Sequence, residues 1–511
     1  MAGRVKKSIL NAEVNLMFYF IALFLSFFSR KIFLDNLGAE FIGLNGTLNS
    51  ILGYLNLAEL GIGSCISYFL YKPLQSNNRE EIRNLLSVFG YLYKRVGIAI
   101  FALGSIVSIS FPWMFGKSDI SLGIVFFAYY SLLASSLIGY FINYRQILLS
   151  ADQKNYIVTI YTQSANIIKI ALQIYLAYYY KNLYIWVSIE FLFCLFACTI
   201  INWKIKKEYP WLHTNTKEGK QLLKKYPTIL SNTKQIFIHK FKDVILMRSD
   251  EIFVFMFVSL KMVAYYGNYT LIISRIGQIF SAALDSINAG IGNLIAEGDK
   301  DNIMKVFWEM LTIRHFIAGF LCFVSIHLVE PFISIWLGTE YILSKDILLL
   351  LSIYVYISSS RGVVDMYNHA HGLYADTWSA WAELTLNISI TVVAGYYWGI
   401  AGILLGKVIS TTIIIIIWKP YYLFTTGLHL KYIEYWSGAS RNFLVSFFSI
   451  FFTHLIVARL NIPAYTNFYY WIFYSSIAIA LFLIINLSMT IFICKGARDC
   501  IYRIYSIKKS K

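Results

Sequence analysis

The chain has 511 residues, of which 58% are hydrophobic and only 14% charged, with a mean hydropathy of +0.60. Soluble domains carry about 25% charged residues, so this composition excludes a soluble protein and indicates a polytopic membrane protein. The net charge of +17 does not mark a nucleic-acid partner, because the basic residues collect in the short segments on one side of the apolar runs.

A membrane-crossing helix needs about 20 mostly apolar residues, roughly 17–25. In chain order, runs near 14–34, 41–70, 88–111, 120–149, 156–180 and 183–203 meet this need. Runs near 244–260, 263–296, 311–330, 347–369, 378–398, 400–424, 442–460 and 468–494 follow, about fourteen in all. The first follows Arg4, Lys6 and Lys7 and has no small-residue cleavage site. It therefore reads as a retained span, not a secretory signal. The run 244–260 is short and carries Arg248, Asp250 and Glu251, whereas 263–296 is too long for a simple crossing and is expected to protrude. The loop charges place both termini in the cytoplasm.

Between these groups lies a basic connection from Trp203 to about Asp243. Its Lys204, Lys206, Lys207, Lys217, Lys220, Lys224, Lys225 and Lys234 interleave with Leu222, Leu223, Ile229, Leu230, Ile236 and Phe237. That pattern predicts an amphipathic helix on an anionic lipid surface. The expected organisation is a six-helix bundle over 1–203, the connection over 204–243, a second six-helix bundle over 244–424, and two further spans with a basic tail over 425–511. Gly61-Ile62-Gly63 and Gly290-Ile291-Gly292, each followed by an acidic turn, hint at an internal repeat.

Several ionisable residues interrupt the apolar runs: Glu59, Lys169, Arg248, Asp250, Arg275, Arg361, Asp365 and Lys407. Each costs roughly 2.5–3.5 kcal/mol at bilayer depth, and a polar cavity between helices explains them together. A transporter follows as the candidate. No GxxxxGK[ST], HExxH or GxSxG motif is present, and the six cysteines form no CxxC pair. Every external loop is short, which argues against a membrane-embedded polymerase or glycosyltransferase, and no enzyme or cofactor is expected. His369 and His371 flank Ala370 in a loop and read as interface residues. Tyr178–Tyr180, Tyr396–Trp398 and Tyr469–Trp471 fall at span ends, where aromatic belts sit.

Leu37-Gly38-Ala39-Glu40-Phe41-Ile42-Gly43-Leu44-Asn45-Gly46 and Leu57-Ala58-Glu59-Leu60-Gly61-Ile62-Gly63 are similar to the second span of a known family. Arg248-Ser249-Asp250 and Tyr265-Tyr266-Gly267-Asn268-Tyr269 look like its seventh and eighth spans. Gly372-Leu373-Tyr374-Ala375-Asp376, Glu383, Asn387 and Gly399-Ile400-Ala401-Gly402-Ile403-Leu404-Leu405-Gly406 match its tenth to twelfth. The chain resembles the oligosaccharide-lipid flippases of bacterial polysaccharide export, in the superfamily that also holds multidrug extruders and peptidoglycan lipid flippases. Lys407 departs from the small or hydroxyl residue usual in that family.

The resemblance implies an all-α fold of two pseudo-symmetric six-helix bundles around a V-shaped cavity, with two added C-terminal helices. Its cargo would be an undecaprenyl-diphosphate-linked oligosaccharide, moved by alternating access to the outer leaflet of the bacterial inner membrane. Membrane lipids, a polysaccharide polymerase and chain-length proteins are the implied partners. Arginine pairs bidentately with phosphate oxygens, so Arg275, Arg248, Arg361, Lys169, Lys407 and Arg30 are the head-group candidates, with Arg275 foremost. Asp250, Glu383 and Asn387 are candidates for Na⁺ or H⁺ coupling, and Glu59 and Asp365 for neutralising arginines. The alternative within the same fold is an ion-coupled multidrug extruder.

Overall fold

A bilayer offers no water to unpaired backbone groups, so apolar runs of this length fold as helices. In a computed structural model the chain is all-helical, with no strand among the described residues. The structure describes residues 2–59, 62–285, 291, 294–295, 297–373 and 376–509. Nine helices among them are long and apolar enough to cross a membrane. The protein is a multi-pass, all-α membrane protein. Gly61, Gly290 and Gly292, Tyr374-Ala375 and residues 286–290 lie outside the described residues. The side chains of Leu230, Lys234, Ile236 and Phe237 do too.

Several runs are broken within the span. The run 41–70 is two helices, Ala39–Leu55 and Ile62–Gln75, with one 3₁₀ turn over Asn56–Glu59 between them. The run 120–149 is likewise split into Leu122–Phe141, a turn at Asn143–Gln146, and Ile147–Ala151. The run 347–369 breaks at Arg361, between Lys345–Ser360 and Gly362–Ala370.

The basic connection is built from three helical pieces. Helix Leu183–Glu208 runs into it, a five-residue helix covers Gly219–Leu223, and helix Pro227–Phe257 takes the rest. Pro227 opens this last helix, and neither glycine nor proline interrupts the following thirty residues. The short run 244–260 is therefore the far end of a 31-residue helix. The loop before it is tied down by the Asn215 N–H, which donates to Ser87 Oγ (3.0 Å), and by Arg79 over the Trp211 ring. Gly219 packs where a Cβ would strike Tyr91 and the Ser87 carbonyl. These contacts hold the loop and the short helix Gly219–Leu223 against helix Arg79–Ser108.

The chain divides into two compact units, Met1–Ala264 and Tyr265–Lys511. In the first, helix Pro227–Phe257 lies along Ala39–Leu55 through the small residues Gly46, Ser50 and Gly53, which permit close approach, and Gly43 abuts the Leu260 backbone. Ala2–Leu37 packs on Asn155–Tyr180, and Leu122–Phe141 on Leu183–Glu208. Lys154 joins Asp152 and Glu208, each at 2.8 Å. Burial works against its ammonium, but the bonds to the two carboxylates prevail and hold its pKa above the usual lysine value.

In the second unit, helix Lys300–His327 is the hub. It touches Lys345–Ser360, Tyr432–Val457, Phe468–Ile493 and Lys495–Lys509. Its apolar window is 72% buried against 22% for Phe468–Ile493, which marks one as central and the other as peripheral. Phe307 meets Tyr367 and Phe424 edge-on at 5.0 and 5.4 Å, contacts worth about 0.5–1.5 kcal/mol each.

The C-terminal helix Lys495–Lys509 is fastened to this hub. Arg503 Nη2 donates to Glu309 Oε1 (3.2 Å), and its Nε stands 2.9 Å from Oε2. Glu309 is buried, whereas Arg503 is partly exposed. Arg503→Ala is expected to destabilise the unit by about 3 kcal/mol, the low end for a stranded buried charge, because solvent screens the pair's open side. Thermal unfolding in detergent measures it, and adding Glu309→Gln is expected to restore most of the loss.

Candidate functional site

In the first unit, Glu59 sits in the 3₁₀ turn that breaks the second run. Tyr93 OH donates to Oε1 (2.6 Å) and Tyr140 OH to Oε2 (2.5 Å). Tyr140 has one proton and also lies 3.0 Å from Asn56 Oδ1, which Ser136 Oγ serves as donor. The closer, charged acceptor takes the tyrosine proton. Glu59 is therefore held by two phenols among the described residues, an arrangement the sequence did not disclose. Tyr140→Phe removes one donor from a half-buried carboxylate and is expected to cost about 1–3 kcal/mol, read as a lower melting temperature that Tyr93→Phe deepens.

A second cluster lies along the seam between Ala39–Leu55 and Pro227–Phe257. Ser50 Oγ donates to Glu251 Oε2 (2.5 Å), and Arg248, Asp250 and Arg30 act on that carboxylate electrostatically. Arg248 is exposed, with its stem across Gly53, where a Cβ would lie 3.0 Å from Nε. Asp250 is buried, and Arg30 Nη2 donates to the Ala264 carbonyl (3.0 Å). Glu251 was visible in the sequence only as a blemish in a short span. Its role at the seam depends on Ser50, two hundred residues earlier.

Lys169 is bound 2.6 Å from Glu190 Oε1, and the buried Gln173 donates to Oε2 (3.1 Å). The structure thus joins this head-group candidate to an acid that the sequence reading passed over.

In the second unit, Arg275 is half-buried on helix Leu260–Asp285. Arg361 Nε stands 3.3 Å from Asp365 Oδ2, one turn on, across the break in its span. Arg314, hidden among apolar neighbours in the run 311–330, is buried against Gly362, where a Cβ would come within 2.7 Å of the guanidinium.

The runs 378–398 and 400–424 form a tight hairpin. Gly399 turns it with φ 56° and ψ −129°, a backbone state favoured only for glycine. Beyond it Gly402 abuts the Ala394 carbonyl and Gly406 abuts Thr391. Glu383, Asn387, Lys407 and Ser410 are all buried here. Asn387 Nδ2 donates to Ser410 Oγ (3.4 Å), and Lys407 Nζ lies 4.7 Å from the centre of the Tyr354 ring. The second arm continues through π-helical turns at Thr412–Trp418 and Leu423–Gly427, on either side of Pro420. Below it, Asp376 accepts from Lys419 Nζ at 2.8 Å. No group of three or more His, Cys, Asp or Glu able to hold a metal is found among the described residues.

No protein-family model matches the chain, and no curated protein sequence does. Solved structures do. The lipid II flippase MurJ, in an inward closed conformation, superposes with a TM-score of 0.66 at 16% identity, covering 96% of this chain and all of its own. An inward-facing multidrug resistance MATE transporter of the MOP superfamily gives 0.59 at 14% identity over 82% of this chain and 99% of its own. An outward-facing MATE structure gives 0.51 at 14% identity over 80% of this chain and 93% of its own.

The chain shares the fold of these solved structures. Those structures are of a lipid II flippase and multidrug transporters. Among the embedded charges, Lys169 and Arg361 stand against acids, Arg30 against a carbonyl, and the exposed Arg248 acts on Glu251, while Arg275 is half-buried.

Proposed function

We propose that the protein is a flippase for undecaprenyl-diphosphate-linked oligosaccharide repeat units. It would carry them by alternating access from the cytoplasmic to the outer leaflet of a bacterial inner membrane, with both termini cytoplasmic. The observation that carries this reading is the likeness to a lipid II flippase over 96% of the chain, against 82% for a multidrug transporter. A sugar-bearing lipid diphosphate also suits the basic excess at depth, because a low-dielectric site strengthens charge-assisted bonds to phosphate. Arg275, Arg248 and Arg361 are the proposed head-group residues. The chain has no P-loop, so an H⁺ or Na⁺ gradient would supply the energy, with Glu59 as the exchanging carboxylate in the first unit. A polysaccharide polymerase and chain-length proteins are the proposed downstream partners.

The test is reconstitution into proteoliposomes with a lipid-linked repeat unit, scored by its accessibility in each leaflet. Faster equilibration with the protein supports the reading. Equal accessibility with and without it sinks the reading, and efflux of cationic drugs instead would assign the extruder.

A further inference from the structure

Helix Lys495–Lys509 follows the span Phe468–Ile493 after the single residue Cys494. The last residues of that span, Phe492 and Ile493, are exposed, as suits side chains that meet lipid. The helix therefore begins at the edge of the membrane. Its inner face is occupied by the hub helix Lys300–His327. A Cβ at Gly496 would strike the Trp308 carbonyl, and Arg503 Nη2 reaches Asn302 Oδ1 (3.4 Å) and Glu309 Oε1 (3.2 Å).

The outer face carries a different set of residues. At 3.6 residues per turn, Arg503 falls within about 20° of Gly496 around the helix. Lys495, Arg498, Ile501, Tyr502 and Tyr505 fall between roughly 140° and 260°, and all five are exposed. Tyr502 and Tyr505 are 72% and 71% exposed, which leaves both rings largely uncovered. Arg498 stays close to the span, because its Nη1 donates to the Phe492 carbonyl (3.4 Å). Tyrosines gather at headgroup level, where the apolar ring and the polar hydroxyl are both satisfied. Over 495–511 the sequence has six basic residues against one acid, Asp499. Basic and aromatic side chains on one helix face at a membrane edge complement negatively charged headgroups.

We propose that this face is a docking surface for anionic phospholipid headgroups, and that lipid bound there holds the helix on the hub. Exposure and charge carry the inference. Only the leaflet it meets, the cytoplasmic one, rests on the proposed function.

The test is hydrogen exchange of the full-length protein in nanodiscs of phosphatidylcholine, with and without added phosphatidylglycerol. Both faces of a nanodisc carry the same lipid, so the result depends neither on orientation nor on flipping. Backbone amides of 495–509 are expected to exchange at least about tenfold slower with phosphatidylglycerol, and high salt is expected to remove the difference. A basic residue near an anionic surface contributes about fivefold to binding. Lys495→Gln combined with Arg498→Gln is therefore expected to remove most of the slowing, and Tyr502→Ser combined with Tyr505→Ser to reduce it. All four side chains are exposed, so these variants are expected to fold. Exchange that ignores phosphatidylglycerol would overturn the proposal and leave the face to a protein partner. Slowing retained in full by both variants would also overturn it, because the lipid would then act elsewhere. Slowing of this helix in a protein that flips no lipid-linked sugar upholds the surface and removes only the transport reading.

Discussion

Gly402→Leu is expected to leave little folded protein. A side chain at this position would begin inside contact distance of the Ala394 carbonyl oxygen and carbon, with the Gly395 nitrogen beyond them. These are backbone atoms of the opposite arm, so no rotamer change can yield. The arms must separate, and separation breaks the Asn387–Ser410 bond and uncovers Glu383 and Lys407 together. Overpacking costs about 1–3 kcal/mol where side chains can move. Here the buried charges add to it, and the total is expected to reach about 4 kcal/mol, most of a marginal stability. Gly402→Ala already places the Cβ there and is expected to cost roughly half as much. Gly277, whose Cβ would meet nothing within 4 Å, provides the control. Monodisperse yield from detergent extraction, followed by thermal unfolding, checks all three. A well-behaved leucine variant with native stability would mean that the hairpin is not packed at this glycine.

How much of this was legible beforehand depends on the range of the interactions. Apolar runs declare helices locally, and the hydrogen bonding of a helix is settled within four residues. The all-α fold was therefore readable, as were the embedded charges. The breaks were less so. At Asn56–Glu59 a single 3₁₀ turn replaces a helical one because Glu59 and Asn56 find partners on Tyr93, Tyr140 and Ser136, from 34 to 84 residues away. Nothing in the run 41–70 signals those partners. The basic connection hides its contacts for a related reason, because Asn215 and Gly219 pack on helix Arg79–Ser108 at Ser87 and Tyr91, 128 residues earlier. Arg314 escaped notice because one charge in a long apolar run barely alters its average. The pairing of Lys169 with Glu190 is short in sequence, yet it crosses a turn between two helices, and both residues had to be placed on facing sides before either could be interpreted.

Arg248→Glu and Arg275→Glu are expected to cut flipping of a lipid-linked diphosphate by roughly 10–100-fold each. A hydrogen bond to a charged group contributes about 1.5–3 kcal/mol, and every 1.4 kcal/mol is tenfold in binding. Reversal also places repulsion where attraction stood. The two arginines are among the head-group residues of the proposed function. Lys169 has a carboxylate at 2.6 Å whose charge it opposes. Lys169→Met is accordingly expected to lower stability by stranding Glu190, with a smaller change in apparent substrate affinity. The discriminating measurement is the initial flipping rate against substrate density in proteoliposomes, with salt varied. Loss of affinity that grows at low ionic strength identifies a phosphate contact, because screening weakens both attraction and repulsion as salt rises. A salt-independent loss would instead place the arginines in the packing of their helices, and intact flipping in Arg275→Glu would remove the phosphate argument altogether.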